Sequence, residues 1–116
     1  MSVTSDRDPV AHATATHLVQ LLLPLFDNDG RPIDGARFRE VRDELTARFG
    51  GLTAYTRAPA DGIWMAEQAA TRDQIVVYEV MTGTLDRRWW SAYRATLEQR
   101  FRQQTLVMRV LSITIL

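Results

Sequence analysis

A chain of 116 residues has the length of one ordinary domain with a single core, and its lack of cysteine excludes disulfide staples, thiolate zinc sites, iron–sulfur clusters and cysteine nucleophiles. Hydrophobic residues make up 46% and charged residues 24%, a globular composition. Fourteen basic residues, every one an arginine, balance fourteen acidic ones, so no basic face gathers for nucleic acid.

Residues 1–16 mix Ser5, Asp6, Arg7, Asp8 and Pro9 with small residues and contain no apolar signal segment, so they read as a flexible lead-in to one domain over 17–116. The longest apolar stretch, Leu21 to Phe26, is interrupted by Pro24 and is far too short to span a bilayer. A soluble, cytoplasmic, bacterial-type protein is the expectation, with no membrane partner.

Leu18–Phe26 is apolar at nearly every position and stops at the turn-forming Asp27-Asn28-Asp29-Gly30, which predicts a buried strand. The period then changes. Phe38, Val41, Leu45 and Phe49 fall at helical spacing, Asp34 supplies a capping oxygen and Gly50-Gly51 a left-handed stop, so a helix is predicted over Asp34–Phe49. Leu52–Arg57 alternates as a strand, and Pro59-Ala60-Asp61-Gly62 before Ile63-Trp64-Met65 predicts a hairpin. Gln74–Met81 concentrates β-branched and aromatic residues and predicts a central strand. Asp86 caps a second predicted helix to about Gln104, with Trp90, Tyr93, Leu97 and Phe101 on one stripe, and Leu106–Leu116 predicts a last strand.

The order β-α-β-β-α-β with right-handed crossovers gives an α+β, ferredoxin-like split βαβ sandwich: a four-stranded antiparallel sheet with two helices on one face. The string Phe49-Gly50-Gly51-Leu52-Thr53, followed by Asp61-Gly62-Ile63-Trp64 and Asp73-Gln74-Ile75-Val76-Val77-Tyr78, resembles a group of short, functionally uncharacterised bacterial proteins of ferredoxin-like topology. The resemblance implies the fold and brings no catalytic residues with it.

No cofactor motif stands out. His12 and His17 are the only histidines and their spacing makes no metal site. Asp27/Asp29 read as a turn, and Glu40/Asp43/Glu44 as the solvated face of the first helix. Gly50-Gly51 follows a helix, whereas a phosphate cradle precedes one. The Trp89-Trp90 pair reads as core rather than as a base-stacking platform.

The informative pattern is polar residues inside apolar strands: Gln20, Tyr55, Arg57, Glu79 and Arg109. A charge in such a setting faces water or meets a partner. The candidate ligand-binding set is therefore Tyr55, Arg57, Trp64 and Glu79, with Glu79 as acid/base or acceptor and Arg57 or Arg109 as an anion clamp. A pocket-facing, unpaired Glu79 favours an enzyme; an ion-paired or solvated one favours binding or assembly. The first and third strands are apolar on both sides while two helices cover only one, which predicts a homodimer, by sheet-on-sheet packing into a barrel. The leading expectation is a small-molecule-binding, regulatory or assembly module. The alternative is a cofactor-independent enzyme of the dimeric α+β barrel type, a small oxygenase or isomerase.

Overall fold

The computed structural model describes residues 15–57 and 75–116. Its elements are β1 (His17–Pro24), α1 (Gly35–Phe49), β2 (Thr53–Arg57), β3 (Ile75–Thr82), α2 (Arg87–Arg100) and β4 (Val107–Ser112). The four strands form one antiparallel sheet in the order β2-β3-β1-β4. That order places β1 and β3, from which the two helical crossovers start, at the centre, as the split βαβ arrangement requires. The fold is α+β and ferredoxin-like, and none of the described helices is long and apolar enough to cross a membrane.

Alternation along the central strands decides which side becomes the core. Val19, Leu21 and Leu23 of β1 stand opposite Val80, Tyr78 and Val76 of β3, and all but the half-buried Val76 are buried. They pack with Val41, Leu45 and Phe49 of α1 and with Trp90 and Leu97 of α2, followed by Phe101. Both helices thus cover one face. Between them Phe49 stacks on Trp90 with ring centroids 5.1 Å apart, while Phe38 meets Phe101 edge-on at 5.1 Å. Trp89 stacks on Tyr93, and the Arg48 guanidinium lies over the Trp89 ring at 4.2 Å. The Trp89-Trp90 pair is accordingly part of the helix packing.

Helix ends follow the sequence chemistry. Asp34 accepts from the Ala36 amide at 2.9 Å and Asp86 from the Trp89 amide at 3.0 Å. Gly50, at φ 85°, closes α1 with its amide donating to Thr46 O. α2 stops at Arg100, short of the expected Gln104, because the chain turns through Arg102 at φ 55°. There the Arg102 amide donates to Gln99 O and the Gln103 amide to Glu98 O. This is the paired-bond helix stop normally built on glycine, and Gln103 adds a side-chain bond to Phe26 O at 2.8 Å. β1 likewise ends at Pro24, and Phe26 forms an isolated bridge with Pro32. β4 is shorter than the expected Leu106–Leu116, covering Val107–Ser112.

Candidate functional site

Among the described residues, no helix packs on the other face of the sheet. Register sets Gln20 beside Glu79 on one side and Arg109 on the other, with Thr53 beyond Glu79. One row across the sheet is therefore polar. The rows flanking it are apolar: Leu111, Leu18 and Met81 on one side, and Val107, Leu22 and Val77 with Tyr55 on the other.

Within the polar row, Gln20 Nε2 donates to Glu79 Oε2 at 2.7 Å, and the Tyr55 hydroxyl donates to the same oxygen at 2.9 Å. Glu79 is half-buried. Two neutral donors on one oxygen fix the carboxylate's orientation, and Oε1 accepts no hydrogen bond among the described residues. Nor does Glu79 form an ion pair with any of them. Beside it opens a cavity of about 330 Å³ lined by Leu18, Gly51, Leu52, Thr53, Glu79 and Met81. The site is an apolar hollow with one oriented acceptor at its edge, the arrangement that grips a ligand with an apolar body and a hydrogen-bond-donating head.

Of the expected site residues, the structure brings Tyr55 and Glu79 into direct contact. Arg57 pairs through its backbone register with Ile75 at the end of β2, and its side chain lies outside what is described. Trp64 and the expected hairpin lie outside the described residues. Gln20, absent from the expected binding set, belongs to the site. Its signal in the sequence was a carboxamide amid Leu and Val, but only the β1–β3 register reveals its partner.

A second cavity, about 310 Å³, lies where the β1–α1 loop meets the end of α2, lined by Asp27, Arg31, Asp34, Arg37, Arg100 and Arg102 among others. Carboxylates in and beside it already engage three of these arginines. Glu44 binds Arg100 in a two-pronged contact at 2.8 and 3.0 Å, Glu40 meets Arg37 at 3.0 Å, and Asp27 lies 3.9 Å from Arg102. Hydrogen bonding from Arg100 holds the Glu44 carboxyl below the usual carboxylate range despite partial burial. Burial, reinforced by the hydroxyl's bond to Glu44 at 2.7 Å, pushes the Tyr93 phenol up. Asp27 is held low chiefly by the Arg31 amide, with the Asp29 amide and the Arg102 charge adding to it against desolvation. This cluster clasps α1 to α2. The expectation that Glu40 and Glu44 sit on a merely solvated helix face is corrected here, because both reach Arg100 on the neighbouring helix. Among the described residues no three His, Asp or Glu side chains group as a metal site.

Comparison with known families, with curated proteins and with solved structures finds no match.

Proposed function

We propose that the protein is a small-molecule-binding module, cytoplasmic and homo-oligomeric, that uses the helix-free face of its sheet as the binding surface. One observation carries this reading: Glu79, oriented by Gln20 and Tyr55, borders a cavity on the sheet face opposite the two described helices. A carboxylate amid apolar side chains is costly to keep without bonds, and here the bonds leave one oxygen for a guest. The matching ligand class is an apolar body bearing an amine or hydroxyl.

The test is a titration of the full chain with benzylamine, followed by methyl NMR, with benzoate as the oppositely charged control. Saturable shifts at the Leu18, Leu52 and Met81 methyls with benzylamine, weakened at least tenfold in Glu79→Gln, are expected. Shifts gathered at Ile33 in the arginine-lined cavity, or equal responses to benzoate, would overturn the reading.

A second reading, a cofactor-independent enzyme with Glu79 as acid/base, draws on the absence of an ion pair at Glu79 among the described residues. Binding has the stronger support, because among the described residues Glu79 is the one titratable side chain lining that cavity and acid/base catalysis generally recruits a second positioned group.

A further inference from the structure

The helix-free face has a pattern that fits a second copy of itself. Across β4, β1 and β3 the rows read Leu111-Leu18-Met81, then Arg109-Gln20-Glu79, then Val107-Leu22-Val77. Neighbouring strands are about 4.8 Å apart, so Arg109 and Glu79 stand roughly 10 Å apart, one on each side of Gln20. The upper row is open, with Met81 37% and Leu111 44% exposed, and Val107 is 48% exposed at the edge of the lower row. Exposed apolar side chains thus flank one positive and one negative group.

A symmetric sheet-on-sheet contact uses the same patch on both copies, with its twofold axis lying between the sheets. Two orientations of that axis are aligned with the strands. An axis running across the strands sets Glu79 over Glu79 and Arg109 over Arg109, juxtaposing like charges. An axis running along β1 exchanges the β3 and β4 columns. It sets Leu111 over Met81 and Arg109 over Glu79, twice in each pair of copies, and brings Val107 above the column of Val77, which is already 1% exposed within its own chain. Charge and hydropathy select the same orientation.

In that arrangement β2 lies beyond the edge of the overlap. The cavity between Leu52 and Glu79 stays at the rim of the contact, and β4 of the second copy forms its missing wall. We propose that a second copy of this chain packs on the helix-free face about a twofold axis along β1, with its Arg109 meeting the Glu79 carboxylate and its β4 closing the cavity. The inference rests on reading this face as the binding surface and adds the partner that completes it, the second copy's Arg109 and the guest's donor each taking one lone pair of Glu79 Oε1.

The test is light scattering on the full chain at micromolar concentration. Wild type is expected at about 26 kDa, twice the chain's 13.2 kDa. Arg109→Glu and Glu79→Arg each create two like-charge contacts, weakening association roughly 100-fold or more, and each runs alone as a monomer. Their equimolar mixture restores both ion pairs and returns to the dimer mass. Circular dichroism confirms that each variant is folded, and Leu111→Asp, at an exposed position on an edge strand, provides a second dissociating variant. A monomeric wild type overturns the proposal, including the case in which other residues of the same chain cover the face. Single variants that remain dimeric overturn it, as does a mixture that stays monomeric. A dimer without benzylamine-induced shifts separates failure of the binding reading from failure of this one. Shifts in a monomeric protein show the reverse.

Discussion

The two faces of the sheet are built from the same strands on different terms. On the helix-covered face, Val19, Leu21, Leu23 and Val80 are at most 1% exposed, and their contribution is volume removed from water, about 25 cal/mol for each Å² of apolar surface. On the other face, one residue along in each strand, Gln20 and Glu79 occupy the centre and bond to each other. The covered face is constrained by packing, while the open face keeps groups that packing alone disfavours. That difference in demand separates what holds the molecule together from what it presents to a partner.

Substitutions should divide along the same line. Leu21→Ala, at 0% exposure, is expected to cost about 3–4 kcal/mol through lost burial and a cavity. Met81→Ala on the open face should cost under about 1 kcal/mol in the monomer. Urea denaturation of the two variants at submicromolar concentration measures both; equal losses would erase the distinction between the faces.

The interhelical clasp belongs to the covered side and should respond to acid. Glu44 and Asp27 have folded pKa values below their ordinary 4.5 and 3.8. Their contribution is therefore complete above those ordinary values and is lost as pH falls through the depressed ones. Stability followed by thermal melts should fall below about pH 4.5. Glu44→Gln should flatten part of that fall and cost about 1 kcal/mol at pH 7, modest because the pair is partly solvated. A pH profile unchanged in Glu44→Gln would show that the clasp carries no linkage.

A smaller effect is expected at the end of α2. Arg102 holds a left-handed conformation, φ 55°, at a position that favours glycine. Its ion pair to Asp27 is long, 3.9 Å, with the arginine side chain 61% exposed, so it contributes little. Arg102→Gly should stabilise the fold by about 0.5 kcal/mol, the conformational relief exceeding the lost contact. A loss of stability in the melt would show that the guanidinium matters more than the backbone strain.

The elements and their order were legible in the sequence because their signals are local. Helical spacing marked Val41, Leu45 and Phe49, aspartates marked both helix starts, and β-branched runs marked the central strands. The end of α2 was less legible, since Arg102 occupies a position where glycine would have announced the stop. For the site, the sequence exposed Glu79 and Tyr55 as polar residues within apolar strands, but their meeting depends on the register between β2 and β3, which no local pattern fixes. The same holds for Gln20 against Glu79, and for the reach of Glu44 to Arg100, which needs the packing of two helices 56 residues apart in the chain at that pair.

The central claim, that the open face is a surface built to receive a second copy, can be tested through the lack of native cysteine. Leu111→Cys and isotope-labelled Met81→Cys chains are mixed and treated with a bismaleimide whose spacer is roughly 10 Å, the separation of packed sheets. Mass spectrometry then reads which residues have joined. The account predicts that links between position 111 of one chain and position 81 of the other dominate over links between like positions. A preponderance of 81-to-81 links, or no cross-linked dimer at concentrations where the chain is folded, would contradict it.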